Sequence, residues 1–109
     1  MGQRILIPAT TLAVTSPVFS GVNNNNIGIQ CTGLYTGESI VVQVAFLQNE
    51  NPFTVIWAPL LINGQQIKLD LDNNVLTIFD DTQTYRLIKS ATLNAVAVSI
   101  TADIKIGSL

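Results

Sequence analysis

The clearest periodicity in the chain lies between residues 96 and 106. Val96, Val98, Ile100, Ala102, Ile104 and Ile106 alternate with Ala97, Ser99, Thr101, Asp103 and Lys105. Period two held over this length predicts a long strand with one wet face. Ile67, Leu69 and Leu71 alternate with Lys68, Asp70 and Asp72 in the same way. Ile40, Val42, Val44 and Phe46 alternate with Val41, Gln43, Ala45 and Leu47, so this strand is expected to be covered on both faces. Turn signals fall between the runs. Asn63-Gly64 separates residues 57–62 from 65–71, and Asn-Gly accepts the positive φ that a type I′ hairpin requires. Asn73-Asn74 separates residues 69–72 from 75–79, and Asn tolerates the left-handed region. Residues 55–79 therefore read as a three-stranded meander. Thr36-Gly37-Glu38 and Asn49-Glu50-Asn51-Pro52 are further turns, and Asn23-Asn24-Asn25-Asn26 is a loop.

The pattern predicts strands over 4–7, 10–15, 27–32, 39–48, 53–58, 60–63, 66–71, 75–79, 84–89 and 94–106. Asp80-Asp81-Thr82 offers a cap for a short helix through Tyr85, Ile88 and Lys89, but Thr84, Tyr85, Ile88 and Thr92 favour a strand. Pro8 and Pro17 keep residues 1–22 at an edge or outside the main sheet, as an extended N-terminal arm or edge segment. Residues 23–109 form one domain. Many short strands with regular turns predict an all-β fold, an antiparallel β-sandwich or small, jelly-roll-like barrel. Composition agrees: Ile, Val and Thr number 13, 10 and 11 among 109 residues, and β-branched side chains fit a pleated surface.

Charge narrows the functional classes. Apolar residues make up 48% and charged residues only 11%, where soluble domains carry about 25% charged. A mean hydropathy of +0.42 excludes disorder as the main state. Five Lys and Arg against seven Asp and Glu, with a pI near 4.6, exclude a nucleic-acid partner of the basic kind. No run of apolar residues is long enough for a membrane-spanning helix. Nothing reads as a targeting signal, so synthesis in a cytoplasm is expected. Histidine is absent and Cys31 is the single cysteine, which excludes an internal disulfide and argues against zinc. Cys31 reads as a small buried hydrophobe.

Candidate chemistry is sparse. Asp70, Asp72 and Asn74 echo the D-x-D-x-N start of a calcium loop, but Val75 and Asp81 stand where such a loop has Gly and Glu. The plainer reading makes Lys68, Asp70 and Asp72 the solvated face of one strand. The carboxylates fall at turns and wet positions, where folding alone would put them. Ser90 beside Lys89 suggests a dyad, but neighbours on a strand point to opposite faces. No catalytic residue and no cofactor is expected. For a carbohydrate or receptor ligand, Tyr35 is the candidate exposed ring, beside the Thr36-Gly37 turn, while Trp57 is expected in the core.

The surface is the informative feature. Thr, Asn, Gln and Ser take the place of Lys and Glu, and Asn alone occurs ten times. Neutral polar groups cost far less to bury than charges, so such a surface suits association. A homo-oligomer or a subunit of a larger shell is expected, with contacts from the 1–22 arm, exposed edge strands and loops such as 23–26.

Thr84-Tyr85-Arg86-Leu87-Ile88-Lys89-Ser90-Ala91-Thr92, followed by the alternation from Ala95 to Ile106, resembles small β-structured bacteriophage virion proteins. These are head decoration (cement) proteins or tail-associated subunits. The lack of histidine, the scarcity of charge and the lone cysteine fit the same texture. The resemblance implies a non-enzymatic role in the virion: oligomerising, trimers being frequent, and binding capsid or tail proteins to stabilise the shell. It carries over no site residue.

Overall fold

The computed structural model describes residues 2–21, 26–50, 53–79, 83–101 and 104–107. They are all-β, and the strands run β1 (Gln3–Thr10), β2 (Val14–Thr15), β3 (Phe19–Gly21), β4 (Ile27–Cys31), β5 (Ser39–Glu50), β6 (Phe53–Pro59), β7 (Leu61–Ile62), β8 (Gln65–Gln66), β9 (Lys68–Asp70), β10 (Val75–Ile78), β11 (Thr84–Lys89), β12 (Val96–Thr101) and β13 (Ile104–Ile106). A four-stranded sheet has the order β1-β12-β4-β10. A larger sheet has the order β13-β3-β11-β5-β6, with β2 added to β11 and β9 added to β5. All pairings are antiparallel. The two sheets share one apolar core in a sandwich-like arrangement.

Alternation explains that core. Ile27, Ile29 and Cys31 of β4 and Val96, Val98 and Ile100 of β12 are buried from the smaller sheet. Ile40, Val42 and Val44 of β5 and Tyr85 and Leu87 of β11 are buried from the larger one. Phe19 packs beside Tyr85 with ring centroids 6.0 Å apart. The long period-two run divides between the sheets: β12 lies in the smaller sheet, while Ile104 and Ile106 of β13 pair with β3 in the larger. Thr101 closes β12 at this switch. Its Oγ1 accepts from the Gly28 N–H at 2.8 Å and donates to the Gly28 carbonyl at 3.2 Å.

Within the 1–22 segment, residues 3–10 are the edge strand β1, paired with β12 from Gln3↔Thr101 to Thr10↔Val96. Leu6 and Ile7 are buried there, and Phe19 of β3 is buried in the other sheet. Removing residues 1–15 would thus take Leu6 and Ile7 out of the core and leave β12 without its outer neighbour.

The meander is a correction. Asn63 and Gly64 do take positive φ, 54° and 78°, and join β7 to β8 as expected of a type I′ turn. Yet β9 pairs with β5, and β10 crosses to β4 in the opposite sheet. The cause is local. Asp70 Oδ1 accepts from the Asp72 and Asn73 N–H groups at 3.0 and 2.8 Å, and this side-chain turn redirects the chain. The Asn74 carbonyl then accepts from the Cys31 N–H at 3.0 Å. Residues 80–82, the expected helix cap, and 23–25 of the Asn run lie outside the described residues.

Candidate functional site

Among the described residues the sandwich is left uncovered on one side. There β11 pairs with β5 as far as Val44, whereas β6 follows β5 from Gln43 to Glu50. The β5–β6 pair therefore runs on as a ribbon. Inner-face positions continue along it: Val44 is buried, but Phe46, two residues on, is 52% exposed, and its cross-strand partner Ile56 is 45% exposed. Among the described residues, these apolar side chains are thus left half-exposed on the inner face.

Beside the ribbon lies an apolar cleft of about 360 Å³, lined by Leu60, Ile62, Ile67, Leu76, Phe79 and Tyr85 among others. The β7–β8 hairpin forms one wall. It is anchored at its base by Leu60 N–H to Val42 O and Ile67 N–H to Leu60 O, at 3.0 and 2.9 Å. Phe79 is 78% exposed at the rim. The register that sets Tyr85 opposite Val44 makes the cleft and the Phe46–Ile56 pair neighbours on one inner face.

The outer face differs. Trp57 of β6 is half-buried, and the Arg86 guanidinium lies over its ring, 4.3 Å from the centroid. Arg86 Nε donates to Gln43 Oε1 at 2.7 Å. Trp57 is thus a surface ring stacked on a cation rather than the core residue expected, because Ala45, its partner on β5, faces outward.

At another part of the sandwich Lys89 is buried, 1% exposed. Its Nζ donates to the Leu12 carbonyl at 2.8 Å, the Ser90 carbonyl at 3.2 Å and Thr92 Oγ1 at 3.1 Å. Burial pushes its pKa below the ordinary lysine value, and the carboxylate of Glu38 opposes that shift. Glu38 itself spans two loops, accepting from the Tyr35 and Leu93 N–H groups, each at 2.8 Å. Sequence reading missed this cluster, although Tyr85, Leu87 and Lys89 share one alternating set. Ser90 is exposed and Lys89 is not, so the two do not form a dyad.

The remaining candidates separate. Tyr35 is 48% exposed. Asp70 and Asp72 border a depression of about 200 Å³ together with Glu38 and Lys68. Asn74 lines a different, smaller recess next to Cys31. Asp70 Oδ1 is already engaged by its own turn, and among the described residues no three His, Cys, Asp or Glu side chains gather as a metal site. Cys31 is buried, and desolvation, followed by the charge of Asp70, raises its thiol pKa. The chain matches no known protein family, no curated protein and no solved structure.

Proposed function

We propose that this chain is a non-enzymatic structural subunit of a virus particle, a β-sandwich that oligomerises and decorates or cements a protein shell. The observation that carries the association is the inner face left uncovered among the described residues, where Phe46, Ile56 and Phe79 stand exposed on a chain with few charges. Exposed large apolar side chains on one face are a mark of interaction surfaces in soluble proteins. The particle setting rests on the resemblance of residues 84–92 and 95–106 to phage decoration and tail subunits, and the trimer rests on that resemblance alone. The chain's richness in neutral Thr, Asn and Gln keeps the desolvation cost of lattice contact low.

The test is the solution mass of the purified chain, by light scattering behind a sizing column across a concentration series. A stable closed oligomer is the expected result. A monomer at every concentration overturns the association reading. A second reading, a carbohydrate- or receptor-binding module, is favoured by the half-exposed Tyr35 ring. Specific binding on a glycan array, lost in Tyr35→Ala, would support it over the structural role.

A further inference from the structure

Among the described residues, the edge strands of the two larger sheets are not alike. β1, at one edge of the smaller sheet, carries Arg4 and Pro8, and its pairing with β12 shifts register twice, between Ile5 and Ile7 and between Ile7 and Thr10. β10, at the other edge, is four residues long. β13, at one edge of the larger sheet, is three residues long and exposes Lys105 at its centre, and the Arg4 guanidinium caps its Ile104 carbonyl at 2.6 Å. Shortness, charge, proline and irregular register are the devices by which sheet proteins stop their edges from pairing with other chains. β6 has almost none of them. It is seven residues long, its sequence Phe-Thr-Val-Ile-Trp-Ala-Pro holds no charge, and proline appears only as the last residue. From Val55 to Ala58 its pairing with β5 is regular; the one register shift lies nearer the tip, between Leu47 and Asn49. Among the described residues β6 pairs with β5 alone. Among these residues no strand meets the alternate N–H and C=O groups along its far side.

We infer that the bare edge of β6 pairs, antiparallel, with β6 of a second copy of this chain, joining two larger sheets across a two-fold axis. This rests on the association reading above and names its surface. A second copy is the occupant favoured by the strand's own chemistry. A chargeless strand meets itself without repulsion, and an antiparallel pair about a two-fold is self-complementary and closes. Centred on Ile56, the register sets Ile56 against its own copy on the inner face, beside Phe46. On the outer face it sets Val55 opposite Trp57 of the partner subunit, an aromatic against a β-branched residue, which is a favoured cross-strand pair. Centring on Trp57 instead would bring the two Trp57–Arg86 stacks together, and with them two like charges. Pairing of one strand covers little area against the roughly 800 Å² per partner of a standard interface. The half-exposed Phe46, Ile56 and Trp57 extend the contact on both sides of the pair.

Two variants and one mass test the inference. Native protein should have the mass of an even number of copies. Ile56→Lys puts a charge against itself at the axis, at a position 45% exposed, and should halve that mass with an unchanged far-ultraviolet circular dichroism spectrum. Ile56→Cys should form a disulfide-linked dimer under mild oxidation. Cα atoms facing each other across an antiparallel pair lie about 4.5–5.5 Å apart, within disulfide reach. Cys31 is buried, so the introduced thiol is the reactive one. A native trimer, or an even-numbered oligomer whose mass Ile56→Lys leaves intact, would overturn the edge pairing and leave the structural-subunit reading standing. An even-numbered oligomer that Ile56→Cys fails to cross-link would do the same. A native monomer at every concentration would overturn both.

Discussion

Thr101→Val tests the switch at which the chain leaves one sheet for the other. The substitution keeps the branched shape and removes one hydroxyl. That hydroxyl accepts from the Gly28 N–H at 2.8 Å and donates to the Gly28 carbonyl at 3.2 Å. Two neutral hydrogen bonds at about 0.5–1.5 kcal/mol each, with a half-buried N–H left unpaired, give an expected loss of about 2 kcal/mol. For a domain of this size that lowers Tm by roughly 8 °C. Thermal and urea unfolding followed by circular dichroism would measure it, with Thr101→Ser as the variant that keeps the hydroxyl and loses less. Gly28→Ala sharpens the test. A Cβ at Gly28 would lie 3.0 Å from Thr101 Oγ1, tighter than ordinary contact, so this variant alone displaces the hydroxyl. The two losses should therefore fall short of adding. A Thr101→Val change within about 0.5 kcal/mol of zero, the level of an ordinary surface substitution, would refute the assignment of the bridge.

Lys89 gives a prediction in pH. Its folded pKa is lowered by burial, so in the alkaline range below the ordinary lysine value of about 10.4 the unfolded chain holds more protons than the folded one. Stability contributed by this group therefore rises with pH through that window, and Lys89→Met should lack the rise. Cys31 acts with the opposite sign, since its raised pKa contributes stability lost as pH rises, but it is common to both proteins and cancels in the difference. Urea midpoints that run parallel for the two proteins across the alkaline range would sink the argument. Gly64 sits at φ 78°, and a Cβ added there would meet no atom within 4 Å, so the cost of Gly64→Ala is backbone strain alone, about 1 kcal/mol. Denaturant unfolding should resolve it, and an unchanged midpoint would mean that the β7–β8 turn relaxes freely.

The strands were legible because period two is written into side chains. Val96, Val98 and Ile100 against their neighbours take opposite faces as read, and residues 84–89 form the strand that their β-propensity predicts. Partnership was not legible. Hydropathy gives the period of residues 67–72 and 75–79 but not whether Asn73-Asn74 returns the chain to its neighbour or sends it to the other sheet; the Asp70 carboxylate decides that. The same gap hid the site. Whether β6 is central or an edge depends on sheet order, so Phe46 and Trp57 were expected to be covered. Lys89 could have been found, because a charge inside an apolar alternating set must be buried or must break the pattern. The Tyr35 ring was readable from its turn, whose Glu38 N–H closes back on the Tyr35 carbonyl at 3.0 Å.

The placement of β1 sets an order of events in time. Its sheet neighbour is β12, and the Arg4 guanidinium reaches a carbonyl a hundred positions away in sequence. On the ribosome, residues 3–10 emerge early and wait until residues 96–101 have been made before they have a strand to join. β4 waits as well on the side that β12 will fill. Such distant pairings cost loop-closure entropy before they return any contact, which places folding toward the slow end of small domains. Throughout that wait residues 3–10 lack the strand they pair with in the finished fold. Arg4 and Pro8 are of the residue types that discourage an unpaired strand from pairing with other chains.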